Sequence, residues 1–433
     1  MGSGRGLIGG RGRHRGYHTA VVGPFMPDAE KVAAVRQALP AVGAGIYLNT
    51  GSAGPLPAET AAAMADLEGW EVRTGRASAE FFEDFLERLA EARAGIAAVL
   101  ATDVDSVGIT HSTTEGMNIA TWAVDWKPGD QAVTTRHEHA GGLGPLVAAR
   151  ERFGIELALV DVGDGTDDDA TLAAFDAAIT PRTKLVSISH VLWTTGATLP
   201  IERIARLAKE RGATVAIDGA QAVGAMPVSP DDLGVDYYAV AAQKWLLGPE
   251  GIGALWASGE ARERGLPSLS GWFSFDALTL EGTGEFFRSG RRFEATNYHK
   301  PSVTGFARSC GWLSMYVGLP WVFDRGQALA AAAFDRLARI PGVTMLTPRD
   351  RMATLVTFRI AGWPADDAVR ELGARVFAIT RTVPPLDAIR ISVGFFNTAD
   401  ELERFAAAVE LLAAHTPATL PPKPQLTIIG QGS

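Results

Sequence analysis

The chain has 433 residues, of which 47% are hydrophobic and 21% are charged, and its formal net charge is −9. This composition is typical of a globular protein with two domains, and the acidic balance argues against nucleic acid as the main partner, because phosphate contacts need a basic face. The single cysteine, Cys310, excludes an intramolecular disulfide framework and a cysteine-rich zinc site, so we expect a reducing, cytoplasmic environment.

Residues 1–26 are rich in glycine and arginine. They lack the apolar stretch of a secretory signal, and no run in the chain reaches the roughly 18 apolar residues that cross a bilayer, so we expect no membrane association. A Gly/Arg-rich arm could contact RNA, but the same composition favours a plain disordered tail. We therefore predict that segment 1–26 is a disordered tail.

The predicted elements then alternate along the chain. A helical pattern over 27–39 precedes the turn-rich stretch GIYLNTGSAGPLP and amphipathic helices over 58–73 and 78–100. Helical segments then alternate with short apolar runs, which are SVGITH, QAVTTRH, IELALVDV, KLVSISHVLW, TVAIDGAQ, YYAVAAQ and IGALWA. Buried parallel strands have this appearance, so the pattern predicts an α/β domain with a mostly parallel sheet over residues 27–300.

A smaller α+β domain is predicted over residues 301–415. It combines a helical pattern over 321–340 with apolar runs that predict strands at VTMLTP, ATLVTFRI, VFAIT and AIRISVGF. Thr398 and Glu401 have the spacing of a capping box at the start of a closing helix. The Pro-rich segment 416–433 is predicted to be a loose tail.

An ionisable pair lies in the stretch AIDGAQAVGAMPVSPDDLGVDYYAVAAQKWLLGPEGIGALW. Asp218 and Lys244 each follow a predicted buried strand, and open α/β sheets bind ligands at the carboxyl ends of their strands. A desolvated lysine has a lowered pKa and a nucleophilic amine, while a carboxylate can hold a cationic ring nitrogen. The structural alternative is an internal ion pair between Asp218 and Lys244.

The segment HSTTEGMN combines a strand end, several hydroxyl groups and a helix start. The free N–H groups of a helix N-terminus bind phosphate, and the hydroxyl groups of Thr113 and Thr114 are natural additional donors. Ordinary N-capping by Ser112 or Thr113 is the structural alternative.

Other polar residues interrupt apolar or loop segments. His137 and His139 in TTRHEHAGG lie two residues apart, but no third metal ligand with suitable spacing follows, so a structural or ring-stacking histidine is favoured. Thr296 lies in a polar loop between the predicted domains. Arg390 lies within an apolar strand, where its guanidinium needs a carboxylate from a ligand or from an internal Asp or Glu.

The order of these motifs resembles one protein family, the class V (cysteine desulfurase-like) aminotransferases. The resemblance covers roughly residues 45–413 and is carried by HSTTEGMN, EHAG, SHVLWTTG, AIDGAQAVG, QKWLLGPEGIGALW, RFEATN and IRISVG. It implies the fold-type I architecture, with a large domain that binds pyridoxal 5′-phosphate (PLP) and a smaller C-terminal domain. It also implies an amino-acid substrate and a homodimer with shared active sites.

The resemblance assigns catalytic and cofactor-binding roles to individual residues. Lys244 would form the internal aldimine, Asp218 would pair with the pyridinium nitrogen, and His139 would stack on the ring face. Gln221 would hydrogen-bond the phenolic oxygen. The residues implied as phosphate ligands are Thr113, Thr114, Gln243 and, from a neighbouring subunit, Thr296.

On the substrate side, the resemblance assigns the α-carboxylate to Arg390. It places Asn49 and Ser52 in the substrate-side loop, and Trp193 in the pocket wall where many desulfurases have an asparagine. The chain also departs from many desulfurases at Ala241, which replaces a serine near the lysine. No cysteine lies in the small-domain loop before Arg390, and Cys310 lies in a helical pattern, so sulfur transfer through an enzyme persulfide is not expected.

These features predict a PLP-dependent enzyme that acts at the α-carbon of an amino acid, as an aminotransferase or a C–S-type β-eliminating lyase. An epimerase of the isopenicillin N epimerase type is the alternative, since GSAGPLP and QKWLLGPEG resemble that branch. A non-catalytic binding protein on the same scaffold is the alternative of another class.

Overall fold

The computed structural model describes residues 23–295 and 297–423. The predicted tails 1–26 and 416–433 therefore lie largely outside the described residues, as does Thr296. The helices are α1 Asp28–Ala38, α2 Ala58–Thr74, α3 Ala79–Val99, α4 Thr113–Trp122, α5 Ala140–Phe153, α6 Asp168–Ala178, α7 Ile201–Glu210, α8 Pro230–Leu233, α9 Gly259–Arg264, α10 Lys300–Gly311, α11 Leu319–Leu337, α12 Ala365–Val376 and α13 Ala399–Ala413.

The β-strands follow the predicted apolar runs through most of the chain. They are β1 Ile46–Tyr47, β2 Val107–Thr110, β3 Gln131–Thr135, β4 Glu156–Val160, β5 Thr183–Ser189, β6 Thr214–Asp218, β7 Tyr237–Ala241, β8 Gly253–Ala257, β9 Phe275–Leu278, β10 Gly284–Phe286, β11 Val343–Met345, β12 Leu355–Ile360, β13 Ala378–Ile379, β14 Arg381–Val383 and β15 Ala388–Ser392.

A seven-stranded sheet in the order β2-β8-β7-β6-β5-β3-β4 forms the centre of the large unit. Strand β8 is antiparallel to both of its neighbours, β2 and β7, and the remaining pairs of this sheet are parallel. Strands β2, β3, β7 and β8 are buried along their whole length, because helices cover both faces of the sheet. The predicted α/β fold with a mostly parallel sheet is confirmed.

The parallel strands bring their carboxyl ends to one edge of this sheet. Asp218 is the last residue of β6, and it pairs in parallel register with Ser189, the last residue of β5. Lys244 follows shortly after β7, which pairs with the other side of β6. The ends of β5, β6 and β7 therefore bring Ser189, Asp218 and Lys244 to the same edge of the sheet.

A four-stranded antiparallel sheet, in the order β11-β12-β15-β14, forms the smaller unit. Its core is a separate cluster that begins at Leu329 and also includes Ile46 and Leu48 from near the start of the chain. The expected strand VFAIT is confirmed only at Ala378–Ile379, which pairs with β1 instead of joining this sheet. The domain division at residue 301 stays a prediction, and α10, which spans this position, packs on α3 and α2.

The small sheet contacts loops of the chain near this edge of the large sheet. Asn49 bridges to Ser392 at the end of β15, and the Thr357 hydroxyl of β12 donates a 2.8 Å hydrogen bond to the Thr194 carbonyl. The capping box between Thr398 and Glu401 starts α13 as predicted. Within the residues described, no helix is long and apolar enough to cross a membrane.

Candidate active site

Asp218 and Lys244 lie near each other at adjacent strand ends, in the region we call the crevice, and no ion pair joins them in the described part of the chain. Asp218 is buried, with 6% of its surface exposed, and its Oδ1 accepts a 2.9 Å hydrogen bond from the Ala220 N–H. Burial lowers the pKa of Lys244 to about 8; Arg390 and Arg381 act in the same direction, while Asp218 opposes them. Lys244 thus carries a substantial neutral fraction near physiological pH, as a nucleophilic amine requires.

The start of α4 combines N-capping with an unused hydroxyl group. Ser112 caps the helix by accepting a 3.1 Å hydrogen bond from the Glu115 N–H, so the structural alternative is correct for Ser112. The buried Thr113 hydroxyl has no hydrogen-bond partner among the described residues. Thr114 is exposed beside Gly141 of α5, where an added Cβ would lie 2.5 Å from its Oγ1. These hydroxyls and the free helical N–H groups suit an anionic phosphate.

His139 is the N-cap residue of α5 and packs against Trp193. Its Nδ1 accepts a 3.1 Å hydrogen bond from the Gly141 N–H, and its ring meets the Trp193 ring edge-on at 5.7 Å. Burial, followed by the charge of Lys244, lowers the pKa of His139 and so favours the neutral imidazole. Asp218 raises this pKa, whereas Arg381 and Arg390 lower it, so these charged groups lie near the imidazole.

The loop after β1 lies against the turn that carries Lys244. The Gly54 N–H donates to the Gln243 carbonyl at 2.7 Å, and a Cβ on Gly54 would lie only 2.3 Å from the Lys244 carbonyl oxygen, so glycine permits this approach. Gln221 Nε2 donates to the Gly51 carbonyl at 2.9 Å. Ser52 donates to Asn49 Oδ1 at 2.8 Å. The predicted cofactor and substrate residues of this loop and turn are therefore neighbours.

Arg390 is fully buried and lacks an acidic partner in the described chain. Its Nη1 donates to the Trp193 carbonyl at 2.8 Å, whereas Nε and Nη2 have no hydrogen-bond partner there. Burial lowers the pKa of Arg390 to about 9, and nearby Arg381 contributes to this. The alternative of an internal Asp or Glu partner is thus wrong, and the free edge of the guanidinium suits a carboxylate from a ligand.

Sequence reasoning missed two ionisable residues of the site, Glu138 and Arg381. Glu138 precedes His139, and its carboxylate accepts 2.6 Å hydrogen bonds from the hydroxyls of Thr135 and Ser189. Burial raises its pKa to about 7, and Asp218 adds to the increase. The sequence carried a signal for Glu138. This residue follows the apolar run that contains Thr135, and the run that contains Ser189 ends at the same edge of the sheet.

The polar groups of the crevice fit a cofactor that has an anionic phosphate, an aldehyde and a basic ring nitrogen. Thr113 and the N-terminus of α4 would hold the phosphate, Lys244 would hold the aldehyde, and Asp218 would hold the ring nitrogen. An α/β sheet with a lysine and an aspartate placed in this way defines the fold-type I class of PLP-dependent enzymes.

The sequence pattern of the family "Aminotransferase class-V" matches residues 46–405. The chain belongs to this family, and it is a PLP-dependent enzyme. The resemblance inferred from the sequence motifs is thereby confirmed.

Named relatives and solved structures point to more than one reaction. The chain is 29% identical to a probable cysteine desulfurase of Mycolicibacterium paratuberculosis over 78% of its length, and it spans about half of that relative, 51%. It is 27% identical to the isopenicillin N epimerase of Streptomyces clavuligerus, over 85% of the chain and 94% of the epimerase. The solved complex of the cystine C–S lyase C-DES with its product cysteine persulfide has a TM-score of 0.81 and 26% identity, over 86% of this chain and 99% of that one.

The lowered pKa of Lys244 predicts a pH dependence for PLP loading. An amine attacks a carbonyl only in its neutral form, so the rate should rise with pH through the pKa and then level off. We expect apoprotein mixed with PLP to bind it with a half-maximal rate near pH 8, measured as a change in cofactor absorbance. A rate that keeps rising as for an ordinary lysine of pKa 10.5 would contradict the effect of burial.

Proposed function

We propose that the protein is a β-eliminating C–S lyase that acts at the α-carbon of a sulfur-containing amino acid. The observation that carries the proposal is the convergence of a lysine of lowered pKa with a buried arginine that has no acidic partner among the residues described. The lysine supplies a base for the α-proton and the arginine supplies a site for the α-carboxylate. The similarity to a cystine C–S lyase over 86% of the chain favours elimination over transamination.

The proposed cofactor contacts are those that the family resemblance implies, and the unpaired Thr113 hydroxyl supports the phosphate site. Asp218 holds the ring nitrogen, neutral His139 stacks on the ring, and Gln221 donates to the phenolic oxygen. The phosphate ligands are Thr113, Thr114, Gln243 and, from a second subunit, Thr296. PLP, when bound, withdraws electrons from the substrate α-carbon and so makes its C–H bond acidic.

The chain's own residues then perform the elimination. Arg390 binds the α-carboxylate and so fixes which α-bond is directed towards Lys244, with Asn49, Ser52 and Trp193 around the substrate. The Lys244 amine accepts the α-proton as general base. The β C–S bond breaks, and the sulfur leaves with its electron pair. The remaining aminoacrylate hydrolyses to pyruvate and ammonia.

Cys310 takes no part in this proposal, because it is buried within α10. Burial raises the pKa of its thiol, so the thiolate that could attack sulfur is disfavoured. We expect Cys310→Ala to retain the rate of thiol or sulfide release within about twofold, because the residue does not touch the site. Mass spectrometry should find no added sulfur on Cys310 of the wild-type protein during turnover, and a persulfide there would contradict this.

The proposed active unit is a cytoplasmic homodimer. Five large apolar side chains within one segment have more than half of their surface exposed, and exposed apolar surface of this kind suits association with a second subunit. They are Leu266, Leu269, Trp272, Leu278 and Leu280. Sedimentation velocity on the holoenzyme tests this, and a monomer that retains full activity would exclude shared sites.

A panel of amino acids in deuterated water distinguishes the reactions. Pyruvate with a released thiol or sulfide supports elimination, whereas a new keto acid with the pyridoxamine form of the cofactor means transamination. Epimerisation is the second candidate because of the similarity to isopenicillin N epimerase over 85% of the chain. It would appear as α-deuteration with inversion and no release of a thiol.

A further inference from the structure

A second arginine lies directly opposite Arg390 in the small sheet. Arg381 on β14 pairs with Arg390 on β15 in antiparallel register, so both side chains project from the same face of the sheet. Burial is the main cause that lowers the pKa of each guanidinium. Neither of them has an acidic partner in the part of the chain that the structure describes.

Contacts place the Arg381 guanidinium on the substrate side of the crevice. Its Nη1 donates to Ser52 Oγ at 3.2 Å, and its Cζ lies 5.6 Å from the centre of the Trp193 ring. Its Nε donates to the Thr382 carbonyl at 3.2 Å. These contacts are all with neutral groups, so they orient the guanidinium but leave its charge without a counterion.

A monocarboxylate substrate leaves Arg381 without a counterion in the described chain. Asp218 is committed to the cofactor nitrogen, and Glu138 is held by the hydroxyls of Thr135 and Ser189. One α-carboxylate supplies a counterion for Arg390 only. Arg381 is partly buried, and a partly buried cation gains from a counterion, so a ligand that carries a second anion would bind better than one that does not.

We propose that Arg381 is a specificity-determining residue that binds a second anionic group, carried on the side chain of the substrate. The substrate is then an amino acid with an acidic side chain, and, if the proposed C–S lyase function holds, an S-substituted cysteine with a carboxylate or similar anion beyond the sulfur. Ser52 and Trp193 orient the guanidinium towards this group.

Two isosteric substrates test the charge alone: S-carboxymethyl-L-cysteine and its neutral amide, S-carbamoylmethyl-L-cysteine. We expect the wild-type holoenzyme to prefer the acid in kcat/KM by roughly 10- to 100-fold, the size of one charge-assisted hydrogen bond. Arg381→Gln should reduce this ratio to near one, mainly through KM for the acid, and Arg381→Lys should restore part of it. A wild-type ratio near one, or a ratio unchanged in Arg381→Gln, overturns the proposal.

Binding measurements distinguish this role from one in which Arg381 and Arg390 together bind the α-carboxylate. Glutarate and butyrate differ only by the second carboxylate, and their binding can be followed by the absorbance of the bound cofactor. We expect Arg381→Gln to weaken the binding of glutarate but not that of butyrate. Equal weakening of both would mean that Arg381 serves the α-carboxylate, and would overturn the proposal.

A separate experiment tests the acidic-substrate inference if the proposed lyase function is wrong. If neither cysteine derivative is cleaved, the lyase function is wrong, and α-hydrogen exchange in deuterated water is compared for L-glutamate and L-glutamine. Faster exchange of glutamate that depends on Arg381 supports the acidic-substrate inference. Equal exchange rates, or no exchange of either, refute it.

Discussion

Replacing Lys244 by alanine is expected to lower kcat by at least about a thousandfold, because the variant loses both the covalent link to PLP and the general base. Protein that has been treated with borohydride should carry a reduced cofactor label on Lys244 in the wild type and no label in Lys244→Ala. The labelled peptide is identified by mass spectrometry. A label on another lysine would contradict the assignment of the site.

Lys184→Ala provides a matched control for this experiment. Lys184 lies on β5 of the same sheet, but its side chain is exposed, and no role at the crevice is assigned to it. We expect this variant to keep the label, the absorbance of bound PLP and wild-type kcat. Loss of activity in both variants would indicate a general effect on the fold. Loss in Lys244→Ala alone would assign the effect to the Lys244 amine.

The large sheet and the main residues of the crevice could be predicted from the sequence because both depend on local patterns. A strand buried on both faces is a continuous apolar run, and a polar residue directly after such a run lies at the edge where parallel strands end. Asp218 and Lys244 have this position, so their proximity followed from the runs TVAI and YYAVAAQ. The capping box at Thr398 is similarly local.

Features that depend on distant pairing could not be predicted in the same way. The run VFAIT predicted a strand of the smaller domain but not its partner, and Ala378–Ile379 pairs with β1, over three hundred residues earlier in the chain. Arg381 then lies on a separate short strand opposite Arg390, and the sequence alone does not specify that register. Whether Arg390 meets an internal carboxylate also depends on every element around it, so both possibilities remained open until the contacts were known.

Arg390→Met is expected to separate catalysis from stability. The guanidinium is fully buried with Nε and Nη2 unpaired in the described chain, so methionine removes a costly charge and fills much of the same volume. We expect the free energy of unfolding to stay unchanged or to rise, because the Trp193 carbonyl loses only one donor. We expect kcat/KM to fall by roughly 100-fold or more, because the α-carboxylate loses its charge-assisted hydrogen bonds.

Arg93→Met is the matched control, since Arg93 is also a buried arginine but has an internal partner. Its Nη1 donates to both carboxylate oxygens of Glu294, at 2.8 and 2.9 Å. Removing it leaves Glu294 buried without its counterion, so urea unfolding should show a loss of about 3–5 kcal/mol. If Arg390→Met destabilised the protein to the same extent as Arg93→Met, Arg390 would be part of a structural ion pair. Retained stability with lost kcat/KM would instead show that the carboxylate partner of Arg390 arrives with the substrate.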